Sequence, residues 1–165
     1  APGKMHEVDL TYLTSRGNWY YNSWKGDLPK SGGIATNIGI HFFDMLTWIF
    51  GSVKENIVHV MEPGKAAGIL HLEKARVRWF LSIDYDDIPA DIKALNKRTF
   101  RSIQLNGEEI EFSEGFGDLH TKSYEEVLKG NGFGLGEAMT CIQLAHDIRK
   151  ATPIGAKGDF HPFVK

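Results

Sequence analysis

The stretch Arg16–Gly51 reads RGNWYYNSWKGDLPKSGGIATNIGIHFFDMLTWIFG, and its two halves behave differently. The first, Ser15 to Gly33, holds Gly17, Gly26, Pro29, Gly32 and Gly33. Breakers at that density argue for a structured loop. The second, Ile34 to Phe50, reads as a helix, with Gly51 as the stop just past its end. Advancing 100° per residue from Asn37 places His41 at about 40°, Asp44 at about 340° and Trp48 at about 20°. All four share one narrow stripe. The other faces carry Ile38, Ile40, Phe42, Phe43, Met45, Leu46, Ile49 and Phe50, so the helix is apolar nearly all round and is expected to be buried. Polar groups on a buried helix are paired or line a cavity. Asn37, His41 and Asp44 are therefore either a satisfied core network or one wall of a site.

Outward from this stretch, Met5 to Thr14 upstream reads as a strand. Downstream come short alternating runs at Ile57–Glu62, Ala67–Glu73 and Arg76–Tyr85. The last is the clearest. Val77, Trp79, Leu81, Ile83 and Tyr85 fall on one face, Arg76, Arg78, Ser82 and Asp84 on the other, with Phe80 as the exception. Asn106-Gly107 is a strong two-residue hairpin signal, pairing Leu105 with Glu108 and Ile103 with Ile110 and placing Phe112 on the same face. Two helices close the chain, Leu119 to Lys129 and Gly136 to Lys150, the second carrying Ala138, Ile142, Ala145 and Ile148 at helical spacing. Consecutive strands joined by tight turns make antiparallel sheet, and helices gathered on one face of it give an α+β domain. The expected architecture is an open, mostly antiparallel sheet with helices packed on one face, in a single domain spanning residues 1–165.

The 165-residue length suits one domain with a core that needs neither disulfides nor metal. A 42% hydrophobic and 24% charged composition excludes a disordered tail or a disulfide-rich mini-protein. A net charge of -2 gives no electrostatic grip on nucleic acid or an anionic membrane. The longest apolar stretch is interrupted by Asn37, His41 and Asp44 and is too short to span a bilayer. The lone Cys141 reads as a buried apolar residue, and a single cysteine fits the cytoplasm.

Imidazole is well suited to proton transfer near neutral pH, so His41 is a candidate general acid/base. Asp44 one turn on could orient it, and Asn37 one turn before could hydrogen-bond a substrate hydroxyl. No third ligand is near enough to suggest a metal. The loop adds Arg16, Asn18, Trp19, Tyr20, Tyr21, Asn22, Trp24, Lys25 and Lys30. Aromatics interleaved with amides and cations suit a sugar or nucleotide ligand; alternatively Trp19 and Trp24 anchor the loop to the core. Gly130, Gly132, Gly134 and Gly136 lie between helices with no preceding strand, so they read as a flexible turn and not a dinucleotide loop. The remaining histidines read as structural or surface residues, with His120 and Tyr124 as reserve candidates.

The motif Gly32-Gly33, Asn37, Gly39, His41, Asp44, Trp48 and Gly51 resembles the second domain of the glucose–fructose oxidoreductase, inositol dehydrogenase and rhizopine catabolism protein family. The longer phrases RGNWYY, SWKGD, SGGIATNIGIHFFD and HTKSYEEVLKGNGFG are similar to its branch acting on UDP-N-acetylhexosaminuronic acids in O-antigen sugar biosynthesis. The resemblance covers essentially the whole chain. It implies an NAD-dependent oxidation of a sugar 3-hydroxyl, with His41 and Asn37 catalytic and Asp44 behind them. It implies substrate contacts from Arg16, Asn18, Tyr20, Trp24, Lys25, Ser31, Gly33 and Thr36, with Lys25 or Arg16 meeting the sugar carboxylate or diphosphate. The position of Asn37 is often Asp in the family, and Asn cannot act as a base. The resemblance also implies an N-terminal Rossmann domain, absent from this chain, that holds most of the NAD and supplies a lysine. A homo-dimer or tetramer through the sheet face is a further expectation. The competing expectation is a non-catalytic sugar-binding or assembly module with the same fold.

Overall fold

β1 (His6–Thr14) runs through the middle of a six-stranded sheet, flanked by one parallel and one antiparallel neighbour. The computed structural model describes residues 4–110 and 118–165. After β1 come α1 (Asn18–Asn22), α2 (Leu28–Ser31), a π-helical turn (Ala35–Gly39) and α3 (Ile40–Phe50). β2 (Val53–Met61), β3 (Lys65–Leu72) and β4 (Ala75–Ser82) form a meander that returns to β1. α4 (Ala90–Ala94), β5 (Thr99–Leu105), β6 (Glu108–Glu109), α5 (Leu119–Leu128) and α6 (Leu135–Lys150) complete the chain. The strand order is β2-β3-β4-β1-β5-β6. The sheet is thus mostly antiparallel, as expected, with one parallel pair. β1 and β4 run the same way because the chain crosses over through α3 between them. Two short helices also occupy the expected loop between Ser15 and Gly33.

Alternation in the strands sets the layers. Val8 and Leu10 of β1, Leu70 and Leu72 of β3, and Val77, Trp79 and Leu81 of β4 point to the face covered by the π turn, α3 and α6. Phe43 of α3 meets Trp79 edge to face, centroids 5.3 Å apart. Cys141 is buried and free, as expected. The buried stripe of α6 is Cys141, Leu144, Ala145 and Ile148; Ile142, expected in that stripe, is exposed. The helix is rotated from the simple reading because its apolar positions exceed what one face can bury. Strand β4 stops at Ser82, so Tyr85 leaves the sheet face and lies exposed under Lys93, 5.0 Å from its ring. The Asn106-Gly107 turn forms as expected, both residues at positive φ, with Leu105 opposite Glu108 and Ile110 N–H bonded to Ile103 O at 2.8 Å. Phe112 lies outside the described residues.

Phe80 breaks the alternation because the opposite sheet face is covered as well. Residues 154–164 wrap it. Ile154 and Gly155 donate to Val58 and His59 carbonyls on the β2 edge. Asp159 joins Arg76 and Arg78, and Arg78 also clasps Asp9 through two 2.6 Å bonds. His161 is buried, its ring stacked on Phe80 at 5.6 Å. Its Nδ1 accepts the Phe163 N–H, which leaves Nε2 to donate to Thr11 Oγ1 at 3.0 Å. Burial pushes this imidazole down from 6.5 to about 4, with Asp9 opposing and Arg78 adding to the shift. The folded form therefore resists a proton that the unfolded chain accepts. The stabilisation is complete above about pH 6.5 and is lost as pH falls toward 4, at about 1.4 kcal/mol per unit, or about 3 kcal/mol in all. Urea unfolding between pH 7 and 4 should show this slope, reduced in His161→Gln; an unchanged slope would remove His161 as its source.

Candidate active site

Gly39 allows the site's helix to lie close on the sheet. A Cβ at this position would come within 2.7 Å of the Phe43 ring and 2.9 Å of Leu81 Cδ1. A larger residue would have to push aside the Phe43 ring or the tip of Leu81. Around it, Ala35–Gly39 adopt the wider i→i+5 hydrogen bonding of a π-helix. One turn thereby takes up an extra residue. Asn37 and His41, four apart, come closer to alignment than the about 40° offset of an unbroken α-helix. Such turns recur at functional sites.

The expectation of burial all round is corrected here. Phe43 and Leu46 face the sheet, but His41, Asp44 and Trp48 are exposed and Asn37 is partly so. The outer side of the helix layer is open enough here to leave His41, Asp44 and Trp48 exposed, although Phe133 approaches Trp48 and Cys141 lies beside Asp44. The polar stripe is therefore a surface.

Asn37 ties this surface to the preceding loop. Its Nδ2 donates to the Tyr20 hydroxyl and to the Lys25 carbonyl, each at 3.4 Å. Among the described residues nothing donates to its Oδ1, which is left for a ligand. Tyr20 is the loop's anchor, 3% exposed, and burial pushes its phenol above the ordinary tyrosine value, so it stays protonated. Trp19 and Trp24 are not the anchors: both are more than half exposed. The Lys25 ammonium sits against both indoles, 5.8 and 5.9 Å from the ring centroids. This is a cation framed by two partly open aromatic faces. Arg16 is held near the core by its N–H to Ile83 O and lies close enough to the Tyr20 hydroxyl to act on it electrostatically. Asn18 opens α1 and is exposed. Lys30 is paired with Asp27 at 3.1 Å.

The structure thus brings Tyr20, Lys25 and Asn37 together, with His41 one turn along. Ser31, Gly33 and Thr36 form a separate turn. Ser31 Oγ accepts the Gly33 N–H at 3.0 Å, and Thr36 Oγ1 donates to the Gly32 carbonyl at 3.1 Å. Arg149 of α6 stands beside this turn, its Nη1 3.1 Å from where a Gly32 Cβ would lie. Sequence reading missed Arg149 because its only signal was a basic residue in a helix's last turn. Asp44 lies against the Cys141 thiol of α6, and burial followed by this carboxylate pushes the thiol's pKa up. Among the described residues no hydrogen bond joins Asp44 to His41. A cleft of about 610 Å³ between β2 and α6, lined by residues such as Asn56, Met139 and Gln143, contains none of these groups. It is the stripe and loop that concentrate the chemistry.

Among the described residues no group of three His, Cys, Asp or Glu side chains could hold a metal ion. Of the glycines between α5 and α6, Gly130 and Gly136 face open space, whereas a Cβ on Gly132 would come within 2.9 Å of Val127 Cγ2.

Residues 3–93 match the model of the oxidoreductase family's C-terminal alpha/beta domain. Two crystal structures of the WlbA (WbpB) dehydrogenase from Thermus thermophilus superpose at TM-score 0.91. The one in complex with NAD and alpha-ketoglutarate is 52% identical over 97% of this chain, and the one with NAD and UDP-GlcNAcA is 51% identical over 98%. The chain spans 52% of the length of each. The WlbA dehydrogenase from Bordetella pertussis, solved with NADH and UDP-GlcNAcA, shares the fold at 16% identity and TM-score 0.63, over 89% of this chain and 53% of that one.

Proposed function

Because the chain belongs to this oxidoreductase family, as its C-terminal alpha/beta domain, we propose that it is the substrate-binding and catalytic half of an NAD-dependent dehydrogenase. Its substrate would be a UDP-N-acetylhexosaminuronic acid, oxidised at the sugar 3-hydroxyl. The observation that carries this reading is the 51% identity, over nearly the whole chain, to a dehydrogenase solved with NAD and UDP-GlcNAcA. In this proposal residues 1–165 form one domain, and a preceding Rossmann domain supplies the dinucleotide site.

NAD, when bound, supplies the hydride acceptor. The rest falls to side chains of this chain. An imidazole nitrogen of His41 takes the hydroxyl proton as the C3–O bond becomes a carbonyl. Asn37 presents its free Oδ1 to a neighbouring substrate donor; an amide cannot take the proton itself. Asp44, further along the stripe and beside the Cys141 thiol, stands behind the catalytic pair. The Lys25 ammonium meets the sugar carboxylate or diphosphate, with Trp24 and Trp19 covering apolar ring faces. Arg16, Asn18 and the Tyr20 hydroxyl complete the loop side, and Ser31, Gly33 and Thr36 shape the turn next to it. Self-association through the outer sheet face would have to accommodate the Arg76, Arg78 and Asp159 network there. Among the described residues no helix is long and apolar enough to cross a membrane, and a cytoplasmic location belongs to this reading.

The test is NADH formation by the full-length protein given NAD and UDP-GlcNAcA. Lys25→Met should raise KM about 10- to 100-fold, the loss of a hydrogen bond to a charged group, with kcat little changed. Binding of the UDP-sugar acid without any NADH would instead identify a non-catalytic module.

A further inference from the structure

α5 is a ten-residue helix that buries none of its residues. Tyr124, Val127 and Leu128 lie on one face of it, all exposed, Leu128 by 87%. Lys122, Glu125, Glu126 and Lys129 hold the remainder in near charge balance. A helix this short is marginal in water on its own propensity and persists by packing its apolar face. Its surface does not end at residue 128. Asn131 binds back to Glu126 through its N–H and its Nδ2, at 2.8 and 3.1 Å. Gly132 lies so close to Val127 that a Cβ would fall within 2.9 Å of Cγ2. Phe133, 78% exposed, then meets Trp48 edge to face at 5.9 Å. Trp48 stands on the same stripe of α3 as Asn37 and His41. Leu135, next in line, is 82% exposed.

Exposed apolar groups therefore extend from the His41 stripe through the Trp48–Phe133 ring contact and the Gly132–Val127 approach to α5. Each aromatic ring brings about 150–250 Å². Three rings with Val127, Leu128 and Leu135 approach the roughly 800 Å² that one partner contributes to a stable interface. Folded proteins do not ordinarily leave so much contiguous apolar surface to water. We propose that α5, Phe133 and Leu135 form the docking surface for the dinucleotide-binding half of the longer protein. This rests on the function proposed above. Two observations select that occupant. The surface adjoins, through the Trp48–Phe133 contact, the stripe on which the proposed cofactor would act. The solved relatives are also about twice the length of this chain and carry NAD. The balanced charge of α5 fits a protein surface rather than a polyanion or an anionic membrane.

Hydrogen–deuterium exchange tests it, on the full-length protein and on this 165-residue chain. The amides of residues 119–128 should exchange at least tenfold more slowly in the full-length protein, and the protection should survive dilution to single subunits. Leu128→Asp with Phe133→Ser in the full-length protein should restore fast exchange there. The same pair should leave the melting temperature of the 165-residue chain unchanged, because both side chains are already exposed in it. Equal exchange in both proteins would overturn the assignment. So would protection that vanishes on dilution, which would mark a second copy as the occupant. NAD binding measured in parallel separates the two claims. A full-length protein that binds NAD with α5 unprotected defeats only the docking surface, whereas one with no dinucleotide-binding half defeats both.

Discussion

His41→Ala in the full-length enzyme should cut turnover by about 10²- to 10⁴-fold, the usual contribution of a positioned acid/base. Hydride cannot leave a carbinol carbon readily unless the hydroxyl proton leaves too, and water in a closed site is a poor substitute for a held imidazole. NAD affinity should change little, because in the proposed function a preceding Rossmann domain holds most of the dinucleotide. The two effects together make the result diagnostic. Stopped-flow NADH formation gives the rate, and cofactor titration gives the affinity. Turnover within about threefold of wild type would take the proton-transfer role away from His41. Exposure of the imidazole makes a trivial folding defect an inadequate explanation for a loss, since truncating an exposed side chain usually alters stability by only about 0.5 kcal/mol.

The second large effect is on stability. Phe43→Ala should cost about 3–5 kcal/mol, the range for deleting a fully buried aromatic. Phe43 is 0% exposed, and its ring lies edge-on to Trp79 and against Gly39. Deleting it removes the apolar transfer term, the ring–ring contact and the support beneath the π turn. Urea unfolding should report the loss, and the melting temperature should fall by roughly 10 °C. A cost below about 1 kcal/mol would mean the helix layer collapses onto β4 without Phe43. Activity at a temperature where the variant is folded should also drop, because Asn37 and His41 ride on the turn that Phe43 supports.

Much of this was legible in the residues, for identifiable reasons. Asn106-Gly107 specifies its turn almost unaided, because the pair tolerates positive φ at both positions. Val77, Trp79 and Leu81 specify a buried strand face by period alone. The parallel β1–β4 pair was not legible. Partner choice between strands depends on where a distant crossover delivers the chain, and no local pattern records that. The π turn was hidden for a different reason. It lies where Gly39 packs against Leu81 of β4, a contact that no local pattern records. Phe80 looked like an error in the alternation until His161 and Phe163, more than 80 residues later, supplied its partners. In the loop, composition pointed to aromatics meeting a ligand or the core. Only packing could assign Tyr20 to the core and leave Trp19 and Trp24 to solvent.

The central position of β1 also governs how the molecule assembles. Its partners are Ala75–Ser82 on one side and Thr99–Leu105 on the other, so the first ladder must wait for half of the chain and the second for nearly two thirds. Both ladders close loops of high sequence separation, and topologies dominated by such pairings fold slowly. During synthesis β1 waits with both edges open while the β2–β4 meander, built from local hairpins, can form first. The nascent chain thus holds an unpaired strand with Val8, Leu10 and Leu13 uncovered, the kind of segment that chaperones shield and aggregation recruits. The late β5–β6 hairpin is then the piece that covers the second edge of β1, and mutations that loosen the Asn106-Gly107 turn should lower the yield of folded protein more than its final stability.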